Sequence, residues 1–317
     1  MDRVTLADVA KACGVSAYTV SRAMNDKPDI SRETRERILK AADEMGYTVN
    51  ASARFLRTGR SKSIGIIIGD IANPSFSISI RMIDTMLRKH GYNCMVFDSE
   101  EDEQIEKRSI LDAIGKNVDG IIICPAQKSD ANIRFMQEQN IPFVLMSRRF
   151  EHLNTNYVIC DDYEGGRQAA QYLVDKGCKR IAYLTLEPYV SNTRERFDGI
   201  TQVLRENQIG LSEKDCYYVQ GGQVSHKEIV MKLLSKDYDA VICFCDAVTL
   251  ELMCYAQREL TIISFDNIKS HFFLPCKFAS LGADKEKFVS ALVECLLDAI
   301  EGKGKPQGVI LDTQIYE

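Results

Sequence analysis

The sequence predicts a small all-α head, residues 1–48, joined to an α/β core of two doubly wound lobes with parallel sheets. Up to residue 48 the chain shows short helical patterns opened by hydroxyl residues. From residue 63 onward, short apolar runs alternate with amphipathic helical patterns, which is typical of parallel sheets covered on both faces. These runs outnumber the strands of one six-stranded sheet, so two similar lobes are expected.

Three segments follow from this pattern: residues 1–48, a hinge helix and linker over 49–62, and a core over 63–317. Within the core, we expect one lobe at about 63–160 and 283–303, and a second at about 161–282 and 304–317. Residues 1–62 carry 12 Lys or Arg against 8 Asp or Glu, whereas the remainder carries 28 against 37. A small basic head on a larger acidic body fits a head that binds a polyanion.

Composition and missing motifs exclude several classes. No apolar run approaches the ~18 residues of a membrane helix, and the opening MDRVTLADVAKACG lacks the apolar stretch of a signal peptide. The 11 cysteines form no CxxC pair, so reduced thiols and a cytoplasmic location are expected. Cys243 and Cys245 lack a second ligand cluster, so neither a metal nor another cofactor is expected. The sequence contains no GxGxxG, Walker, HExxH or GxSxG motif, so an enzyme is not expected.

The head is predicted to hold three helices, each opened by a hydroxyl cap: Leu6–Cys13 after Thr5, Ala17–Asn25 after Ser16, and a third from Ser31 through Glu44. Asp8 completes a near capping box with Thr5, and Gly14 supplies a tight turn. Ala10, Val15, Val20 and Met24 can then close a small core. This arrangement is a helix-turn-helix unit, whose second helix enters the DNA major groove.

With Val15 and Val20 inside, the second helix presents Ala17, Tyr18 and Arg22 outward. Arg22 is suited to reading guanine O6 and N7 with two hydrogen bonds. Short polar side chains on the same helix suit phosphate contacts, namely Ser16, Thr19, Ser21 and Asn25. The alternative is a three-helix protein-interaction module with a solvated polar face.

In the core, polar residues directly follow the apolar runs. These positions are the carboxyl ends of the predicted strands, where ligands bind in folds with parallel sheets. They are Asp70, Ser147-Arg148-Arg149, Asp161-Asp162, Asp246 and Asp266-Asn267, with Arg194 and Arg196 opening a helix of the second lobe. Carboxylates and arginines that face each other across a cleft suit a polyhydroxylated ligand. Each residue alone could instead be a helix cap or a surface ion pair. A secreted sugar-binding protein would share this core but would have no use for the head.

The stretches VTLADVAKACGVSAYTVSRAMN, SRETRERILKAADEMGY and NASARFLRTGRSKSIGIII resemble the head, third helix and hinge of the LacI/GalR family of bacterial repressors. The resemblance implies a sequence-specific regulator, most simply a cytoplasmic homodimeric repressor on a near-palindromic double-stranded operator. It implies phosphate contacts from Thr5, Ser16, Thr19, Ser21, Asn25, Ser31, Thr34 and Tyr47, and base contacts from Ala17, Tyr18 and Arg22. It also implies a hinge helix beginning at Asn50, with Ala53 and Leu56 at the minor groove.

For the core, the resemblance implies two periplasmic-binding-protein-like lobes with a small-molecule effector between them, a sugar or sugar phosphate. GDIANPSF, RERFDGI and SFDN resemble family segments and mark Asp70, Asn73, Arg196 and Asp266 as the best effector ligands. The full set of candidates is Asp70, Asn73, Phe76, Ser147, Arg148, Asp161, Arg196, Cys245, Asp246 and Asp266. A regulator switched by a protein co-regulator instead of a sugar is the alternative.

Overall fold

A computed structural model describes residues 4–24, 27–47, 55, 59–220, 225–272, 274, 277–304 and 306–317. The chain divides into two compact units, one ending at Ser61 and the other beginning at Lys62. None of the helices in the described ranges has the length and apolarity that a membrane span requires.

The described part of the first unit includes three helices, α1 (Leu6–Cys13), α2 (Ala17–Met24) and α3 (Arg32–Glu44). Their core is small: Val9, Ala10, Val20, Ala23, Ile38 and Ala42 are buried. Thr5 and Asp8 form the capping box at the start of α1, and Gly14 ends that helix with φ of 63°, as the sequence predicts. A left-handed residue at this position satisfies the last carbonyls of α1 and turns the chain sharply into α2.

The second unit contains twelve strands and eight α-helices among the described residues. The strands are β1 (Ser63–Ile68), β2 (Asn93–Asp98), β3 (Gly120–Ile123), β4 (Phe143–Met146), β5 (Tyr157–Cys160), β6 (Ile181–Thr185), β7 (Cys216–Tyr218), β8 (Ala240–Cys243), β9 (Thr261–Phe265), β10 (Ala279–Gly282), β11 (Gly308–Leu311) and β12 (Gln314–Tyr316). The helices are α4 (Pro74–Lys89), α5 (Glu103–Gly115), α6 (Ala131–Glu138), α7 (Asp162–Asp175), α8 (Ser191–Glu206), α9 (Lys227–Leu234), α10 (Asp246–Tyr255) and α11 (Lys285–Glu301).

Two six-stranded sheets confirm the predicted pair of lobes. Their strand orders are β11-β5-β4-β3-β1-β2 and β12-β10-β9-β8-β6-β7, and every pairing is parallel except that of β10 with β12. Strand β1 shows why the apolar runs are continuous. Ile64, Ile66 and Ile68 lie in the hydrophobic cluster with α4 and α11, whereas Ile67 lies in the cluster with α5. Both faces of the strand are therefore buried.

One part of the expected lobe division is wrong. The prediction placed residues 304–317 in the second lobe, but β11 pairs with β5 in the sheet of the first lobe. Only β12 joins the second sheet, where it lies antiparallel to β10. The last crossing between the lobes therefore lies at residues 312–313 and not at the predicted 303–304. Short apolar runs such as GVIL and QIY carry no local signal of the sheet to which they belong, so the sequence could not separate them.

Two glycines let α7 and α8 approach closely. A Cβ atom on Gly166 would lie 2.2 Å from the carbonyl oxygen of Arg196, and one on Gly199 would lie 2.1 Å from that of Tyr163. Each distance is far below contact range, and the obstructing atoms belong to the backbone. This contact places the start of α8 beside the start of α7, where charged residues of both helices face the cavity described below.

Gly199→Ala should therefore destabilise the protein by about 1–3 kcal/mol, since the added methyl forces the two helices apart. The urea midpoint of the full chain measures this effect. Gly115→Ala is a matched control, because a Cβ there meets nothing within 4 Å and alanine favours a helix. Equal midpoints for the two variants would contradict close packing at Gly199.

Candidate functional site

Five of the predicted phosphate-contacting residues lie at the N-termini of the three head helices: Thr5, Ser16, Thr19, Ser31 and Thr34. Ser16 Oγ accepts a hydrogen bond from Thr19 N at 3.1 Å, and Ser31 Oγ accepts one from Thr34 N at 3.3 Å. At the start of α1, the Thr5 side chain accepts a hydrogen bond from Asp8 N. Each helix therefore directs its hydroxyl cap and its positive dipole end to the surface, which is how helix N-termini meet phosphates.

The outward face of α2 carries the predicted base-reading residues. Ala17 and Tyr18 are exposed, whereas Arg22 is half-buried. Arg22 forms a side-on ion pair with Asp29, in which Nε lies 2.6 Å from Oδ2 and Nη2 contacts Oδ1. Its Nη1 also donates to the Tyr18 hydroxyl at 3.1 Å. Asp29 does not appear among the sequence-based candidates, because nothing in its local pattern links it to a residue seven positions earlier.

The remaining DNA-binding candidates fall into two groups. Ser21 and Tyr47 are half-buried on the head. Asn25, Asn50, Ala53 and Leu56 lie outside the described residues.

A cavity of about 310 Å³ lies between the two lobes, at the carboxyl ends of their strands. This volume is at the lower end of the usual range for small-molecule sites. Eight of the ten candidate effector ligands line it: Asp70, Asn73, Phe76, Ser147, Arg148, Arg196, Cys245 and Asp266. They come from separate strand ends and helix starts of both lobes, so the fold brings them together.

Asp161 and Asp246 do not line the cavity, and here the sequence-based assignment was wrong. Asp161 caps α7 by accepting a hydrogen bond from Glu164 N at 2.9 Å. Asp246 is fully buried and accepts hydrogen bonds from Ser264, from Ser280 and from the backbone N–H of Ile268. It joins the start of α10 to β9, to the loop after β9 and to β10.

Arg148 forms a buried ion pair with Glu101 at the wall of the first lobe. Arg148 is 4% exposed, and its Nη1 and Nη2 donate to the two Glu101 carboxylate oxygens at 2.6 and 2.7 Å. Nη1 also donates to the Pro125 carbonyl. Glu101 lies 47 residues away in sequence and was missed, because it belongs to a loop without a recognisable motif.

Arg196 forms the corresponding pair in the second lobe. Its Nε donates to Asp162 Oδ1 at 2.7 Å, and its Nη1 donates to the Phe244 carbonyl at 2.9 Å. The guanidinium carbon lies 3.8 Å from the centroid of the Phe265 ring, close enough for a cation–π interaction. Burial raises the pKa of Asp162, and the Arg196 charge opposes that rise.

Asp266 is the cavity residue with the most unusual environment. Its Oδ2 atom is buried and accepts no hydrogen bond from the described residues. Burial and then the Asp246 carboxylate raise the pKa of Asp266 to about 7, against the opposing influence of Lys285, Arg196 and Asn73. Its φ of 104° lies in the left-handed region, where a side chain other than glycine is strained. Such strain collects at sites that bind or react.

The wall holds further polar residues outside the set of ten candidates: Ser75, Ser79, Glu101, Asp162, Asn192, His226, Glu251, Lys285 and Thr313. Lys285 begins α11 and donates from Nζ to Ser75 Oγ at 3.2 Å. The wall thus carries five carboxylates against three permanently cationic side chains among the described residues.

Two family descriptions match the chain, "Periplasmic binding protein domain" over residues 64–270 and "Bacterial regulatory proteins, lacI family" over residues 5–50. Catabolite control protein A of Priestia megaterium is 31% identical over 280 residues, covering 84% of this chain and 83% of that protein. The HTH-type transcriptional repressor PurR of Pasteurella multocida (strain Pm70) is 26% identical over 318 residues, covering 96% of this chain and 95% of the relative.

Among solved structures, the lac repressor dimer bound to operator and the anti-inducer ONPF matches with a TM-score of 0.80. It is 22% identical, and the match covers 100% of this chain and 98% of that one. The curated relatives named as HTH-type proteins are transcriptional repressors or regulators, not enzymes. A lacI-type head, two periplasmic-binding-protein-like lobes and a relative above 30% identity agree with one another. The chain belongs to the LacI family of bacterial DNA-binding transcriptional regulators.

Proposed function

We propose that the chain is a homodimeric repressor that binds a near-palindromic operator and is controlled by an unphosphorylated carbohydrate in the cavity. Two heads related by dimer symmetry would place α2 of each copy in successive major grooves. Occupation of the cavity would change the angle between the lobes and so alter operator affinity, a coupling of typically ~1–3 kcal/mol.

The observation that carries the effector proposal is the convergence of polar side chains from both lobes on one cavity. A ligand that contacts Asn73 of the first lobe and Asp266 of the second would bridge them. Sugar hydroxyls suit this wall, since each can donate to a carboxylate and accept from an arginine, a lysine or an amide. The unpartnered Asp266 Oδ2 is the acceptor with most to gain from such a donor.

The charges of the wall favour a ligand without phosphate. Both arginines already bind carboxylates, Arg148 with Glu101 and Arg196 with Asp162. Only Lys285 is left among the permanent cations of the described wall, and it faces a surplus of carboxylates. A phosphate dianion would be repelled unless these pairs opened, which costs several kcal/mol for buried ions.

A thermal-shift screen tests this proposal, because a ligand that binds only the folded state raises the melting temperature. Each neutral sugar is paired with its own phosphate ester, and every hit is then tested for its effect on operator affinity. We expect hits among the neutral members. Hits only among phosphate esters would contradict the charge argument, and a uniformly flat screen would favour a protein co-regulator.

Effector affinity should rise with pH between about 6 and 8. Asp266 has a pKa of about 7 in the folded chain, and a ligand hydroxyl binds its ionised form better. Below pH 7 the carboxyl must lose its proton on binding, so affinity should increase by up to about tenfold per pH unit. Without ligand the sign is opposite: a raised carboxyl pKa stabilises the fold at low pH, and this contribution is lost as pH rises toward 7.

Calorimetric titrations of a screening hit at several pH values measure this dependence. Asp266→Asn removes the ionisable group at nearly constant size and should abolish the dependence of effector affinity on pH. His226→Gln replaces the imidazole of the same wall and should leave that dependence unchanged. A slope that survives in Asp266→Asn would assign the proton to another group.

A further inference from the structure

Arg22 and Asp29 form a connection between α2 and the segment that leads into α3. Asp29 bonds the Nε and Nη2 edge of the guanidinium with both of its oxygens. Tyr18, one turn before Arg22 on the same helix, receives a hydrogen bond from Nη1, and its ring centroid lies 5.4 Å from the guanidinium carbon. The Arg22 side chain is thus held on two sides.

Two N–H groups of the Arg22 guanidinium remain available for DNA. An arginine guanidinium carries five N–H groups. Asp29 takes one from Nε and one from Nη2, and Tyr18 takes one from Nη1. One N–H therefore remains on each terminal nitrogen. Guanine presents two acceptors in the major groove, O6 and N7, so the remaining pair matches this base in number.

The fixed geometry has an energetic consequence. A free arginine loses the freedom of a long side chain when it binds a base, and this loss weakens recognition. In this chain the ion pair already restrains Arg22, although the two side chains keep 29% and 51% of their exposure. Arg22 is therefore both restrained and reachable from solvent.

We propose that Asp29 determines specificity by positioning Arg22 for end-on recognition of guanine and by repelling DNA that lacks guanine at that position. The second effect follows from its charge, because a carboxylate beside the DNA backbone is unfavourable wherever the Arg22–guanine contact does not compensate. This inference rests on the proposed function in that α2 must face the major groove.

The two effects predict changes of opposite sign when the Asp29 charge is removed. Asp29→Asn should lower discrimination in favour of guanine by about tenfold, since Arg22 loses its support. It should also raise affinity for non-cognate duplexes by about threefold, since a repulsive charge is lost. A residue that merely maintained the fold of the head would weaken binding to every duplex when substituted.

The experiment uses the full chain throughout. Selection from a pool of random duplexes defines the preferred operator of the wild type, and fluorescence anisotropy then compares that duplex with single-base variants and with a shuffled duplex. The melting temperature of Asp29→Asn should stay close to the wild-type value, because exposed ion pairs add little stability.

Two variants sharpen the test. Glu36→Gln removes a carboxylate from another exposed ion pair of the head, with Arg32, and should leave guanine preference unchanged. In an Arg22→Ala background, Asp29→Asn should have no further effect on guanine preference. Equal base preference in Asp29→Asn and the wild type, or weaker binding to all duplexes, would overturn the role of Asp29. A wild type that selects no sequence would instead refute the proposed operator binding.

Discussion

Replacing Arg22 with alanine should lower the preference for the cognate operator over unrelated duplex DNA by roughly 10- to 100-fold. The reason is that a two-bond contact from arginine to guanine provides ~1–3 kcal/mol of discrimination. The caps at the starts of the head helices do not involve Arg22, so binding through phosphate contacts should persist. The residual binding should be weak and sensitive to salt.

Competition binding at two salt concentrations measures both components. Arg32→Ala is a suitable control, since Arg32 is an exposed arginine of the same head that forms an ion pair with its helical neighbour Glu36. It removes an equal charge without touching α2. Loss of affinity for all duplexes in Arg22→Ala, equal to the loss for the operator, would show that Arg22 contacts phosphate and not a base.

Arg196→Ala should abolish effector binding and destabilise the chain by about 3–5 kcal/mol. The substitution leaves the Asp162 carboxylate buried without its cation, and uncompensated buried charges are this costly. It also removes the donor to the Phe244 carbonyl and the contact with the Phe265 ring. Chemical denaturation of the full chain gives the free energy of unfolding, and calorimetry gives the affinity for a screening hit.

The deficit of Arg196→Ala should depend on pH. Burial already raises the pKa of Asp162, and loss of the Arg196 charge raises it further. A carboxyl with a raised folded pKa stabilises the fold when protonated, and that contribution is lost as pH increases. The free energy of unfolding of the variant should therefore lie further below that of the wild type at pH 8 than at pH 5. Arg180→Ala breaks the exposed pair with Asp237 and should cost no more than about 1 kcal/mol. Similar losses for both variants would contradict the burial argument.

Residue type and position after a strand were enough to identify part of the cavity wall. Asp70, Ser147 and Asp266 each follow a buried apolar run, and parallel strands end at a common edge. The same reasoning failed for the neighbours Asp161 and Asp162. Only the second faces Arg196, because the first is used as the helix cap. Both aspartates occupy the same local sequence, so only the direction of each side chain separates them.

The three head helices, their caps, the two-lobed α/β class and the family could all be predicted from the sequence. These features depend on interactions between residues a few positions apart, or on periodic burial, and both are readable along the chain. Three other features could be seen only in the folded chain: β11 completes the first sheet, Glu101 neutralises Arg148, and Asp29 restrains Arg22. These pairings join residues that no local pattern connects. They follow from strand register, loop geometry and the direction of individual side chains, which exist only once the chain has packed.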